Sequence, residues 1–330
     1  MSNNRINWLL ILQGWAMLWV VIGHAPLGEV SDGPIWVRAF YKFAYSFHMP
    51  LFMLVSGWLF YRTRLGTGVL MKGGQKWSYN QIVRDKVIRL LLPGLVFSGV
   101  AFAMKIAFPG EASRQVGLSF NEIAHAFLYP YDNPLRELWF IATLFWFFLM
   151  TPIWRVLMRT EWMMWPAIAL LTVFHFWYPD IELLCIGRVF AYAIWFYMGL
   201  VISKTELVEQ FFVKFPWMTL FVGVFIYVVG RHTNEFITTL GGIVLSFGIA
   251  MLLDKHYPQT FCSFRDYTYQ IFLIGIFAQI LVKILYRHFD LPYLPTYLLC
   301  IAVGLYIPVV VSMVVKKINY RPLLLCVGLK

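Results

Sequence analysis

The sequence predicts an all-α membrane protein, a bundle of about ten transmembrane helices with both termini cytoplasmic. Three observations predict it. First, the 330 residues are 60% hydrophobic and 19% aromatic but only 13% charged, whereas a soluble domain carries about a quarter charged residues to wet its surface. Second, mean hydropathy is +0.69, and apolar stretches recur from end to end. Third, the lysines and arginines between those stretches are unevenly shared between alternate sides.

About 17 to 25 apolar residues cross the roughly 30 Å of hydrocarbon in a bilayer. Ten stretches are candidates: 8–25, 41–61, 87–108, 139–154, 162–178, 183–203, 216–230, 236–253, 267–286 and 294–315. The fourth, fifth and seventh are the shortest. With ten crossings both termini share one side. Nine of the 27 Lys and Arg then fall on the far side or inside spans: Arg38, Lys42, Lys105, Arg114, Arg136, Arg188, Arg231, Lys283 and Arg287. The other 18 flank the spans on the terminal side, which the positive-inside rule places in the cytoplasm. The formal net charge of +11 is therefore read as a topology signal, and no nucleic-acid partner is expected. The partner implied is the bilayer of the cell (inner or plasma) membrane, crossed many times.

Arg5 before a modest apolar run also fits a signal peptide, but His24, Ala25 and Pro26 follow the run in place of a small-x-small cleavage site. Residues 8–25 are accordingly read as a retained first helix. Cys185, Cys262, Cys300 and Cys326 fall in different layers without paired spacing, so neither a disulfide framework nor a metal site is expected. One domain, 1–330, is expected. Within it, 62–86 reads as a flexible basic cytoplasmic loop rich in glycine. Residues 109–138 read as an outer loop with a helical pattern at 119–128, where Ser119 stands at the cap position and Glu122 at the box position.

Polar groups at membrane depth are costly and mark candidate function. Gln13 and His24 lie eleven residues apart in LQGWAMLWVVIGH, about 16 Å along a helix and within roughly 20° of one face. His48 lies about two turns below the outer surface in FHMPLFMLVSGWLF, two residues before Pro50. Each histidine also has a plain reading: His24 meets headgroups at a helix end, and His48 is hydrogen-bonded inside the bundle. Arg84, Lys86 and Arg89 cluster at the cytoplasmic entry to the third span, where they serve either as a positive-inside anchor or as an anion site.

These segments, with IVRDKVIRLLLPGLVF, LWFIATLF and RVFAYAIWFYMGLVI, resemble acyltransferase family 3, the integral membrane O-acyltransferases. The resemblance covers nearly the whole chain. It implies transfer of an acyl group, acetyl by default, from a cytoplasmic acyl-CoA co-substrate to a hydroxyl of an extracytoplasmic carbohydrate or glycolipid, with no metal. Two positions depart from the family pattern. Gln13 replaces a basic residue eleven positions before the histidine, and Gly275 in TYQIFLIG replaces a late histidine.

Such a reaction needs a base for the acceptor hydroxyl, and neutral imidazole suits ambient pH. His24 is the choice. His48 either fixes its tautomer or lines the acceptor pocket. Donors for the developing oxyanion are sought among Gln13, Arg188 and Trp139. Arg84, Lys86 and Arg89 would take the phosphates of CoA. Glu137, Trp139 and Arg188 are the candidates for contact with the acceptor. A glycan or lipid exporter, or a non-catalytic member of the same fold, stands as the alternative; neither inverted repeats nor corresponding broken helices point to transport. The oligomeric state, homo-oligomer included, is left open.

Overall fold

The computed structural model describes residues 6–66, 78–107 and 119–329. Among them the chain is helix and turn, with no strand. In order the helices are α1 (Asn7–Gly23), α2 (Ile35–Phe60), α3 (Tyr79–Lys86), α4 (Leu92–Ala107), α5 (Phe120–Leu128), α6 (Leu138–Leu149) and α7 (Thr151–Leu157). There follow α8 (Glu161–Phe176), α9 (Ile186–Lys204), α10 (Pro216–Thr233), α11 (Glu235–His256), α12 (Thr268–His288), α13 (Tyr293–Ile318) and α14 (Arg321–Cys326). In the residues described, the protein is a multi-pass membrane protein.

Among the described residues each of the ten predicted stretches falls mainly on helix. Seven helical segments are long and apolar enough to cross a bilayer, and an eighth joins them if α6 and α7, bent by 57°, count as one span. The difference from ten lies in α8 and α10. Helix α8 has 16 residues, about 24 Å of rise, short of the hydrocarbon thickness. Helix α10 closes on Arg231 and His232, so its last turn is polar.

The chain divides into two compact units, one of residues 1–52 and 206–318, the other of 53–205 and 319–330. In the first unit, Met17, Val20 and Val21 of α1 pack with Phe264, Ile271, Leu305 and Val309. Helices α10 and α11 form a tight antiparallel pair turned at Asn234, whose side chain accepts the Phe236 N–H at 2.7 Å. A Cβ on Gly223 or Gly230 would meet α11 backbone, and one on Gly241 or Gly248 would meet α10. Small residues let two membrane helices approach in this way without a hydrophobic driving force. The opposite face of α10 carries exposed Trp217, Phe221, Phe225 and Val228, an i, i+4 stripe suited to lipid.

Pro50 lies inside α2. It has no N–H to offer the carbonyl four residues back, and Thr239 of α11 donates its hydroxyl to that Ser46 carbonyl at 2.7 Å. The proline is thereby tolerated at membrane depth.

In the second unit the expected basic loop is partly ordered as helix. Ser78 and Gln81 form a reciprocal capping box that starts α3, and a π-helical turn at 87–91 carries α3 into α4. The expectation of flexible loop is corrected for 79–86: the Ser78 hydroxyl accepts the Gln81 N–H and the Gln81 side chain accepts the Ser78 N–H, a local start signal that glycines and charges do not carry. Residues 67–77 lie outside the described residues, as does the segment 108–118 of the outer loop. The helix expected at 119–128 is α5, with Ser119 and Glu122 in the predicted capping box. Glu122 is held below the usual carboxylate range by the Ser119 hydroxyl and backbone N–H. Behind α5, Asn133 is 3% exposed and bonds Ser98 of α4, the Ala126 carbonyl and the Leu135 N–H. This one amide ties the outer segment down.

Candidate active site

Helix α1 ends at His24, whose N–H still bonds the Val20 carbonyl at 3.1 Å and whose ring is partly buried. On α2, His48 is 3% exposed and its Nδ1 lies 2.5 Å from the Ala44 carbonyl. A carbonyl only accepts, so Nδ1 carries the proton, and the neutral ring presents an unprotonated Nε2. The two imidazoles flank one side chain: the Tyr45 ring lies 6.1 Å from that of His24 and 5.0 Å from that of His48, edge-on to both. Tyr45 in turn stacks on Tyr41 at 4.2 Å and covers Gly23, where a Cβ would come within 3.0 Å of it. Thus the structure brings His24 and His48 of the first unit to one aromatic group.

Gln13 lies nearly two turns into α1 from its start, partly buried and without a hydrogen-bond partner among the described residues. The next residue, Gly14, packs on Phe261 and Arg265, where a Cβ would come within about 3 Å of both. Gly275, the other departure from the family pattern, faces α13 closely: a Cβ there would lie 2.8 Å from the Gly304 carbonyl oxygen, which Pro308 leaves without its helical donor. The space that a larger residue at 275 would need is filled by α13 backbone.

The second unit holds the other candidates. Arg84 is exposed on α3. Arg89, on the π-helical turn, bonds Asp85 through Nε at 2.8 Å, and Arg64 bonds the other oxygen of the same carboxylate at 3.1 Å. Arg64 itself sits on a second π-helical turn, 61–65; such turns are rare and cluster at functional sites. Lys86 places its Nζ 3.9 Å above the Phe148 ring, within electrostatic reach of Asp85, Arg64 and Arg89. Arg62 lies over Trp58 and donates to Ser203. The three basic residues picked from the sequence therefore have three different surroundings.

Trp139 and Arg188 do meet. The Arg188 guanidinium lies 5.2 Å from the Tyr131 ring centre and 6.0 Å from that of Trp139. Tyr131 and Trp139 are parallel within 9°, and Tyr192 packs on Trp139 at 5.2 Å. Burial pushes the Tyr131 phenol up, with Arg188 opposing. Glu137 stands at the start of α6, its backbone carbonyl accepting the Phe140 N–H at 3.1 Å. Two planar rings and a guanidinium make a surface suited to a polar ligand with apolar faces. Beside this cluster in sequence, Leu184 and Leu138 help line an apolar cavity of about 370 Å³ along α4, α5 and α6. Among the described residues no three His, Cys, Asp or Glu are placed to hold a metal ion.

Sequence reading missed Tyr45, Tyr131, Arg64 and Asp85. Asp85 was visible inside IVRDKVIR as an acid among cations, the signal of an ion pair; the aromatic residues carried no signal in a chain that is 19% aromatic.

Residues 6–313 match the family described as Acyltransferase domain, and the chain belongs to that family, acyltransferase family 3. Over 108 residues it is 31% identical to each of two proteins named Nodulation protein NolL, from Mesorhizobium japonicum and Sinorhizobium fredii. That stretch is 32% of this chain and 26% and 27% of those proteins, so the match spans about a quarter of their length. No solved structure matches the chain.

Proposed function

We propose that the chain is an O-acyltransferase of the cell (inner or plasma) membrane that moves an acyl group, acetyl by default, from cytoplasmic acyl-CoA to a hydroxyl of an extracytoplasmic carbohydrate or glycolipid. Membership of the acyltransferase family supports the reaction class, and the observation that carries the site is the meeting of His24 and His48 at Tyr45. In this reading the chain crosses the membrane ten times, α8 and α10 included, with both termini in the cytoplasm; the 18 to 9 division of Lys and Arg supports that threading.

Acyl-CoA supplies the activated thioester carbonyl. His24 takes the proton of the acceptor hydroxyl as the new C–O bond forms, and its imidazolium returns that proton to the departing thiolate as the C–S bond breaks. His48 offers Nε2 as a fixed acceptor that holds a neighbouring N–H or O–H in place. Gln13 can donate a hydrogen bond but no charge. Arg84 and Arg89 take the donor's phosphates, and Lys86, held over Phe148, adds positive potential. Trp139, Arg188 and Glu137 contact the acceptor, sugar faces lying on the Trp139 and Tyr131 rings.

The test is labelled acetyl-CoA added to membranes that contain the chain and the host's envelope glycans. Base-labile label in a glycan or glycolipid, dependent on the chain, is the expected result. Absence of label with acetyl-CoA and with other acyl-CoAs would overturn the proposal.

A further inference from the structure

The last four carbonyls of a helix lack partners within it, and in a membrane there is no water to satisfy them. At the end of α1 two are met locally: the Val20 carbonyl takes the His24 N–H at 3.1 Å and the Ile22 carbonyl takes the Ala25 N–H at 3.2 Å. The Val21 carbonyl is met from elsewhere. Gln279 of α12, 1% exposed, donates its amide to it at 2.9 Å. Tyr297 of α13, 2% exposed, adds its hydroxyl to the Ile22 carbonyl at 3.4 Å.

Glycine at 304 keeps this seat open. A Cβ there would come within 2.9 Å of both the Gln279 amide and Val21. A polar amide so deeply buried, spent on a backbone atom 258 residues away, serves to fix where α1 ends. Three residues beyond Val21 is His24.

We propose that Gln279 is a positioning residue for His24, holding the last turn of α1 through Val21 so that the imidazole stands at a fixed depth and direction, with Tyr297 as its auxiliary. The proposal rests on the reading of His24 as the base. Its physical basis is that displacing a reacting group by about 1 Å costs on the order of a hundredfold in rate.

The experiment measures acetyl transfer from labelled acetyl-CoA to envelope glycans in membranes holding matched amounts of each variant. Gln279→Met keeps the length of the side chain and removes the donor; we expect kcat to fall about 10-fold to 100-fold with the KM for acetyl-CoA unchanged. Tyr297→Phe, which keeps the packing and removes one long hydrogen bond, lowers kcat by about threefold. In a His24→Ala background, Gln279→Met causes no further loss of the residual rate, because a residue that acts through His24 has nothing left to position. A merely structural role would lower that residual rate as well.

Gln279→Met with kcat within about twofold of wild type, in a preparation where His24→Ala has lost about a hundredfold or more, overturns this inference and leaves the base assignment standing. A further loss in the His24→Ala background also overturns it. Should Gln279→Met fail to accumulate, unchanged kcat in Tyr297→Phe overturns it in the same way. Wild-type rates in His24→Ala remove the base assignment and this inference together.

Discussion

His48 donates its Nδ1 proton to the carbonyl of Ala44, one turn earlier in the same helix, at 2.5 Å. A side chain that bonds its own helix needs no distant partner to choose its tautomer, so Nε2 is an acceptor however the neighbours move. The role that suits such a group is to hold another donor in place. His48→Ala is expected to lower kcat about 10-fold to 100-fold. His48→Gln, which can still accept a hydrogen bond, should recover part of the loss. The check is the rate at saturating acetyl-CoA; equal rates in His48→Ala and wild type would assign His48 to packing.

Arg89 separates a membrane anchor from a phosphate site. A charged hydrogen bond is worth about 1.5 kcal/mol or more, which is about tenfold in affinity. Arg89→Ala should therefore raise the KM for acetyl-CoA about tenfold and leave kcat near wild type, measured as transfer rate against acetyl-CoA concentration. Lys86→Ala should do less, because that ammonium faces Phe148. An unchanged KM in Arg89→Ala and Arg84→Ala would mean that the cluster anchors the chain and nothing more.

Helices α2 and α9 touch backbone to backbone within the second unit. A Cβ on Gly57 would overlap the Phe196 carbonyl oxygen, and one on Gly199 would overlap that of Leu54. Gly57→Ala and Gly199→Ala should each destabilise by about 1–3 kcal/mol through overpacking. Thermal unfolding of the purified protein in detergent reports this; unchanged midpoints would show that the helices separate freely.

Glu122 gives a prediction in pH. Its folded-state pKa is depressed by Ser119, so its contribution is present above the unfolded carboxylate value, about 4.3, and is lost as pH falls through the lower folded value. Amide exchange at the start of α5 should quicken on acidification below about pH 4. In Ser119→Ala it should already be fast at neutral pH. Exchange that does not depend on pH in wild type, beyond the intrinsic rate, would contradict the cap.

Legibility followed the range of the interactions. Apolar runs and the Ser119 box are local, and they marked from sequence alone the seven or eight helices long and apolar enough to cross a membrane, and α5. The count of crossings is set by smaller margins: α8 is about one turn shorter than the bilayer core, and α10 ends on Arg231 and His232. Histidine at the end of α1 was readable as a costly polar group. What fixes it was not: Gln279 and Tyr297 stand 258 and 275 residues from their carbonyls, and neither spacing nor composition connects them. The pairing of Arg64 with Asp85 was hidden for a similar reason, the two being 21 residues apart across a glycine-rich stretch that read as loop. The two departures from the family pattern divide in the same way. Gly275 gains a steric reason from α13, whereas Gln13 keeps only its chemistry.

In the proposed function His24 is the base of an acyl transfer across the membrane. Its most direct test compares wild type with His24→Ala at matched expression, using labelled acetyl-CoA and the host's envelope glycans. The account predicts base-labile label in wild type and a loss of about a hundredfold or more in the variant. Equal labelling in both would contradict it.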